Sequence, residues 1–475
     1  MVMALDVATF ESICPSRFLT FTIPDPTYPD SLLRVAVLDS PVPTSDSPLV
    51  AAMFVPEARE TDWIFSTEWG HFQLLFSSPG VSRLILMGNQ FNEDESSPTI
   101  YHRRLVSSPR RKELEVCSKP LFLALSPRSL FKNGIPEVPI LIYEDNLVSS
   151  VVIHKCAGCL VGEMLVEDVE IETKSRADGC CKREFRRRLR FKRMPNLIQT
   201  EILIVPGTED FHLSSLGIGE VEFMPDLRVL VHPYLAPMVA SLSLISDYIE
   251  SRIQLGFRPK ALCLGVGGGA LHSFLRNRLD FEVMGVDADK EVLRVAKRYF
   301  GLEDSEFMHV VIGDAIKFVK KLSPQANWHP MCSSATCEHK GHCHFPDGED
   351  VNHKFDVIMV DLDASDVRSG TSAPPLEFVE KHVLLAAKSL LSELGILSIN
   401  VISPSRSFYS KLERHFQEDF AQLYKIDVGN GENFVVIASA SPRVSSIGDH
   451  NNSFFMRLKS VIPEAYMNSI TKISN

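Results

Sequence analysis

No apolar run in the 475 residues approaches the ~20 needed for a helix to span a bilayer, so no membrane partner is expected. Cysteine is sparse. Ten residues scattered over this length do not make a disulfide framework. The opening "MVMALDVATFESICPSRF" lacks a basic stretch followed by an apolar one, so no secretory signal is expected there. Reduced thiols and a cytoplasmic location are the matching expectations. Positive charge is in deficit, with 49 Lys and Arg against 60 Asp and Glu and a net charge of −11. That balance argues against nucleic acid as the default partner. What remains is a soluble globular composition, 45% hydrophobic and 23% charged, long enough for two or three domains.

The pattern changes along the chain. Residues 1–50 are rich in Pro, Ser and Asp ("TIPDPTYPDS", "DSPVPTSDSP") and read as a linker-like segment. Residues 51–210 read as a smaller β-rich or α+β accessory module, with strand candidates "GEMLVEDVEIET", "FRRRLRFKR" and "QTEILIV". From 215 to 440 apolar strands alternate with amphipathic helices, after a single long helix candidate, "YLAPMVASLSLISDYIESRIQ". "PLEFVEKHVLLAAKSLL" reads as one of the helices. Such alternation predicts an α/β, Rossmann-like, doubly wound parallel sheet. The last two strands, "LYKIDV" and "NFVVIAS", are joined by "GNGEN" and predict a β-hairpin. An insert falls at 323–353 and a C-terminal tail at 441–475.

The densest chemical signal is "ALCLGVGGGALHSFL", 261–275. Gly265, Gly267 and Ala270 satisfy G-x-G-x-x-G/A after a strand, and Gly268 and Gly269 leave the turn still barer. Asp287 closes the next strand, 20 residues after Gly267, where an acid can hold two ribose hydroxyls. This pair alone suits a dinucleotide or a nucleoside cofactor. Asp314, with Ala315, follows the third strand and could accept from an adenine amino group; Asp is equally a good helix N-cap. Asp361, Asp363 and Asp366 follow the fourth strand in "FDVIMVDLDASD". Since ligands bind at the carboxyl ends of such strands, these positions should converge on one crevice.

The order glycine loop, acid, "GDA", "FDVIMVD" resembles the seven-stranded class I methyltransferases that use S-adenosylmethionine, in the branch shared with spermidine synthases. A closer resemblance rests on "FSTEWGHFQLL", "FRRRLRFKRMPNLIQTE", "YLAPMVASL", "LGVGGGAL", "RYFG" and "DVIMVDLDASDVRSGTSAPPLEFVE". These are similar to the C-terminal half of the eukaryotic dual methyltransferases of elongation factor 1A, from about residue 50 to 440. No second glycine motif with a following acid precedes residue 261, so the lysine-directed activity of that family is not implied. The resemblance implies a methyltransferase acting on the α-amino terminus of elongation factor 1A. Gly265, Gly267, Gly268, Gly269, Asp287, Asp314 and Ala315 would hold S-adenosylmethionine. Asp361 and Asp363 would serve catalysis, and Tyr234, Met238 and Asp366 would line the substrate pocket. An aminopropyltransferase is the alternative, although Gly-Gly-Gly-Ala replaces the "GGGDG" loop expected of one. A cofactor-binding scaffold without turnover is the non-enzymatic alternative.

Two further signals carry less. "WHPMCSSATCEHKGHCHF" offers Cys332, Cys337, His339, His342, Cys343 and His344, zinc-binding residue types at a spacing that fits no common finger. Cys156, Cys159, Cys180 and Cys181 make half a zinc pattern. No resident metal is expected. "KREFRRRLRFKR" (182–193) carries eight basic residues. Its alternation of Phe185, Leu189 and Phe191 with arginine fits a strand with one solvated face better than a nucleic-acid patch.

Overall fold

The computed structural model describes residues 7–28, 30–41, 48–91, 100–103, 109–174, 181–207, 217–323, 354–364, 373–402, 406–429, 431, 433–442 and 452–473. The chain divides into two compact units. One comprises Met1–Ala157, Val161–Gln199 and Pro206–Phe223; the other comprises Gly158–Leu160, Thr200–Val205 and Met224–Asn475.

The first unit holds strands β1 (Phe18–Pro24), β2 (Leu32–Asp39), β3 (Leu49–Phe54), β4 (Val81–Asn89), β5 (Ile100–His102), β6 (Ile140–Leu141), β7 (Leu147–Gly158), β8 (Gly162–Lys174) and β9 (Cys181–Phe191). Its helices are α1 (Trp63–Ser66), α2 (Glu68–Phe76) and α3 (Pro109–Ala124). Five strands form a sheet in the order β1-β2-β4-β3-β6. Alternate residues of β2, β3 and β4 bury opposite faces. Val35, Val37, Ala52, Phe54, Ile85 and Met87 pack with Leu114 and Phe122 of α3. Ala36, Leu38, Ala51, Met53, Leu84 and Leu86 pack with Phe65, Phe72 and Leu75 of α1 and α2. A sheet covered on both faces needs the near-continuous apolar runs seen here. Each such buried aliphatic or aromatic side chain contributes about 1.5–3 kcal/mol.

The linker expected over 1–50 is therefore corrected, because it contributes β1 and β2. Its polar residues form the turn between them. Asp25 accepts from the Thr27 N–H and hydroxyl, both at 2.7 Å, and from the Tyr28 N–H. A buried ion pair ties residues 10–17 down. Arg83 and Asp39 are both fully buried, and Arg83 Nε donates to Asp39 at 2.6 Å. Its remaining donors reach the carbonyls of Phe10, Leu125 and Ser12.

The basic strand is accounted for by its neighbour. β8 and β9 pair antiparallel, setting Asp168 opposite Arg187 and Glu167 opposite Arg188. Arg187 makes a two-pronged bond to Asp168 at 2.7 and 2.9 Å. Arg190 reaches Asp62 and Glu167, Arg183 reaches Glu170, and Lys192 reaches Glu163. The expected solvated face is corrected in part, since Arg187 shares the buried face with Phe185, Leu189 and Phe191. Its carboxylate partner makes that burial tolerable.

Strands β10 (Ile198–Pro206) and β11 (Phe223–Asp226) contain residues at which the chain passes between units. The second unit then alternates β12 (Lys260–Leu264), α6 (Ala270–Leu279), β13 (Glu282–Asp287), α7 (Lys290–Tyr299), β14 (Met308–Ile312), α8 (Ala315–Leu322), β15 (Phe355–Val360), α9 (Lys381–Leu390), β16 (Leu391–Ile402), α10 (Arg406–Asp419), β17 (Gln422–Asp427) and β18 (Asn433–Ser439). The sheet order is β14-β13-β12-β15-β16-β18-β17, with a short β19 (Thr471–Lys472) beyond β17. Strands β12 to β16 are parallel, and β18 runs antiparallel to both β16 and β17. Counted along the chain, the order is 3-2-1-4-5-7-6, the seven-stranded class I methyltransferase arrangement expected from the sequence. On one face of the sheet Leu262, Ile358 and Leu397 pack with Leu384 of α9 and Phe416 of α10.

Two expected helices are broken. The long one begins as α4 (Leu235–Ala240), tightens into a 3-10 turn at Ser241–Ile245, and resumes as α5 (Ser246–Gln254). Ser241 Oγ donates to the Met238 carbonyl at 2.6 Å, and every residue from Leu235 to Ser246 is buried. Tight packing on all sides, not an amphipathic stripe, shapes this segment. The 376–390 helix is likewise split, with a 3-10 turn at Leu376–Val379 before α9. The C-terminal stretch is more than a tail. α11 (Ser453–Val461) and α12 (Glu464–Asn468) bury Phe454, Leu458 and Met467. Among the described residues no helix is long and apolar enough to cross a membrane.

Candidate functional site

The second-unit sheet reverses direction at β12. From it the chain winds outward through β13 and β14, then returns to β15 on the other side. A crevice opens at the carboxyl ends of the strands at such a point. Three segments meet there: the glycine loop after β12, Asp287 at the end of β13, and Asp361 just past β15.

The glycine loop is bare because neighbours fill the space. Gly265 has φ +90°, and a Cβ on it would lie 2.0 Å from the Asp361 carbonyl oxygen. Gly269 has φ +81° and caps the start of α6, with Leu302 packed where its Cβ would stand. Gly268 donates its N–H to Thr200 Oγ1 at 2.7 Å. Gly267 donates to Asp287 Oδ2 at 3.3 Å, alongside Val266 at 3.1 Å. Asp287 also accepts the Asp289 N–H on Oδ1. Three donors on a carboxylate with about four acceptor positions leave room for a hydroxyl. Burial raises the Asp287 carboxyl above its ordinary range, against the pull of these N–H groups and with the Asp289 charge adding to the rise.

Asp314 caps α8, accepting the Lys317 N–H at 3.0 Å, and is exposed. The capping alternative thus describes what this carboxylate does within the protein. Ala315 beside it is buried.

Asp361 is held by backbone and side chain alike. Its backbone N–H donates to Leu264 O at 2.8 Å, extending the β12–β15 pairing to the end of the strand. Tyr234 OH donates to Oδ2 at 2.8 Å, and Asn400 Nδ2 donates to Oδ1 at 3.0 Å. Burial raises the carboxyl; the Asn400 and Tyr234 hydrogen bonds and the charge of His232 oppose the rise. The Tyr234 phenol, buried beside this acid, is held well above its usual range. Met238, fully buried one helical turn on, accepts no role visible beyond packing, and its N–H bonds to Tyr234 O. Asp363 is partly buried and its charge acts on the Tyr234 phenol.

Asp366 lies outside the described residues, as do Cys332, Cys337, His339, His342, Cys343, His344 and Cys180. Among the described residues no group of three His, Cys, Asp or Glu side chains could hold a metal ion.

Asn400, Thr200 and His232 were not foreseen. Asn400 had a signal, a lone amide in the apolar run "GILSINVI", and it is buried on β16. Thr200 had none. His232 precedes Tyr234 by two residues, and its ring meets the Tyr234 ring edge-on, centroids 4.4 Å apart.

No family model matches the chain. It is similar to the eEF1A lysine and N-terminal methyltransferase of Xenopus laevis, 26% identical over 412 residues, covering 82% of this chain and 51% of that protein. The Homo sapiens protein of the same name is 24% identical over 423 residues, covering 86% and 53%. A homolog in Drosophila melanogaster is 24% identical over 401 residues, covering 83% and 49%. The chain spans about half the length of the curated relatives it matches. Among solved structures it is similar to human methyltransferase-like protein 13 in complex with SAH, 21% identical with a TM-score of 0.38, covering 51% of this chain and 96% of that one. A probable spermidine synthase from Corynebacterium glutamicum is 13% identical with a TM-score of 0.40, covering 65% and 85%.

Proposed function

We propose that this chain is an S-adenosylmethionine-dependent protein N-methyltransferase of the cytoplasm, acting on the α-amino group of translation elongation factor 1A. The observation that carries the reading is Asp361, whose carboxylate is held by Tyr234 and Asn400 and whose backbone carbonyl lies against Gly265. Sequence similarity to eEF1A methyltransferases supports the choice of reaction and substrate.

The residues fit such a cofactor. Gly265, Gly268 and Gly269 let the loop pack against the Asp361 carbonyl, Thr200 and Leu302, and with Gly267 they would present its backbone to the cofactor. Asp287 keeps an acceptor position for a ribose hydroxyl, and Asp314 with Ala315 would border the adenine. When bound, the cofactor supplies an electrophilic methyl group. The protein's task is then to present an amine in line with it. An α-amino group titrates near about 7.7–8.0, against about 10.4 for lysine, so it is already partly neutral at cellular pH and needs no strong base. Asp361 accepts an amine N–H, which orients the lone pair. It also stabilises the positive charge that grows on nitrogen as the C–N bond forms. Tyr234 and Asn400 keep the carboxylate in one rotamer and favour its charged form. Asp363, whose charge acts on the neighbouring Tyr234 phenol, adds negative charge toward the same cationic product.

The test is incubation of the purified chain with labelled S-adenosylmethionine and unmethylated elongation factor 1A, with the added mass located by peptide mass spectrometry. Methyl groups on the N-terminal residue, lost with Asp361→Ala, are expected. Cofactor binding without transfer would overturn the reading. Transfer from decarboxylated cofactor to a free diamine would identify an aminopropyltransferase instead.

A further inference from the structure

A second acid, two residues on, sets the Asp287 carboxylate. Asp289 lies between β13 and α7 and is only 2% exposed. A buried carboxylate is costly unless donors surround it. Its Oδ1 accepts the Glu291 N–H at 3.0 Å, which caps α7. Its Oδ2 accepts the Leu160 N–H at 2.7 Å, from a residue 129 positions earlier in the chain. Its own N–H donates to Asp287 Oδ1 at 3.0 Å. One residue thus joins the first turn of α7, the acid that would hold the ribose, and the turn between β7 and β8.

Gly158–Leu160, where β7 gives way to that turn, is part of the second unit. The Leu160 side chain is 68% exposed and contributes little packing. What ties the residue down is its N–H on a charged acceptor, the stronger kind of hydrogen bond.

We propose that Asp289 is a positioning residue that latches this turn to the cofactor site, so that docking of the turn and binding of the cofactor's nucleoside half are coupled. With both carboxylate oxygens engaged, residue 289 holds its N–H on Asp287 Oδ1, and Asp287 keeps one orientation for the ribose hydroxyls. With Oδ2 released, residue 289 is anchored from the α7 side alone and that orientation loosens. Conversely, a ribose on Asp287 steadies Asp289 and tightens the turn. Such coupling is reciprocal: the cofactor strengthens the turn by the factor with which the turn strengthens cofactor binding. The proposal rests on the cofactor of the reading above and not on its methyl acceptor.

The probe is S-adenosylhomocysteine, tested on the full chain. Asp289→Ser keeps a good helix cap but has one short oxygen in place of two, enough for Glu291 and not for Leu160 as well. Leu160→Pro leaves Asp289 intact and removes the N–H that it accepts. Calorimetry is expected to show the probe binding about tenfold more weakly to both variants than to wild type. Exchange of the Leu160 amide in wild type is expected to slow by about that same factor when the probe binds, and to stay fast in Asp289→Ser. A merely structural cap would leave that amide indifferent to the probe, which overturns the proposal. Variant affinities within about twofold of wild type overturn it too. Thermal melting without the probe checks that each variant folds; if Leu160→Pro does not, Asp289→Ser decides by itself. A wild type that binds no probe overturns the cofactor reading and the coupling together. Coupled binding in a protein that transfers no methyl group upholds the latch and overturns the functional reading alone.

Discussion

Gly265→Ala is the sharpest test of how the cofactor loop and the acid are joined. The new Cβ would stand 2.0 Å from the Asp361 carbonyl oxygen, where real contacts are essentially never under 3.0 Å. The carbonyl must therefore retreat by about 1 Å or the loop must lift by as much. Asp361 cannot retreat freely, because its N–H is bonded to Leu264 O at 2.8 Å. A 1 Å displacement stretches the Tyr234 and Asn400 bonds from 2.8 and 3.0 Å toward the limit of hydrogen bonding. Alanine at φ +90° adds about 1–2 kcal/mol of backbone strain. Bonds to a charged acceptor are worth about 1.5–3 kcal/mol each, so partial loss of two brings the total to about 3–5 kcal/mol. Urea denaturation of the variant should show that loss, and calorimetry should show cofactor affinity down by about tenfold or more. Gly313→Ala is the matched control, since nothing lies within 4 Å of its Cβ position, and it should cost under about 0.5 kcal/mol. If the two variants unfold at the same midpoint, the loop and the acid are not wedged together and the reasoning fails.

Other expectations follow from single contacts. Asp361→Asn should reduce methyl transfer by about 100-fold or more while leaving cofactor binding measurable by calorimetry. The same variant should melt at a higher temperature at neutral pH. The folded-state carboxyl titrates above its unfolded value, so its ionised form opposes folding there, and the penalty fades as pH falls through the raised folded value. Melting scans at pH 5 and 8 would expose a wrong sign. Asp39→Ala should cost about 3–5 kcal/mol in urea denaturation, because it leaves the fully buried Arg83 without its anion. Asp25 behaves in the opposite sense to Asp361. Burial would raise it, but bonds from the Thr27 hydroxyl and N–H, and Arg110, bring it down to about 2. Its stabilisation is therefore present above the unfolded value of about 3.9 and lost as pH falls through about 2. The gap in stability between wild type and Asp25→Ala, measured by denaturation from pH 6 to pH 2, should close over that window.

Period and punctuation carry the parallel sheet. Apolar runs of strand length alternate with helical stretches from 260 to 439, and acids stand where each of β13 and β15 ends. The glycines could be read for the same reason, since the backbone conformation at Gly265 and Gly269 is a local property of residues without a Cβ. Partner choice is different in kind. Asn400 meets Asp361 across 39 residues, and Tyr234 meets it across 127, because β16 and the α4 segment come to lie beside β15 only once the sheet closes. A linear pattern says that a residue is polar, not which neighbour it will face. The same limit explains the first unit. Proline, serine and aspartate around residues 24–31 suggested a linker, yet two strands on either side find β4 and a common core. The arginines of β9 suggested an exposed face until β8 supplied their carboxylates. The α4–α5 segment looked amphipathic, but packing on every side tightened its middle into a 3-10 turn. Local conformation was written residue by residue; burial, ion pairing and the company of Asp361 depend on contacts made over long chain separations, and those only the folded structure decides.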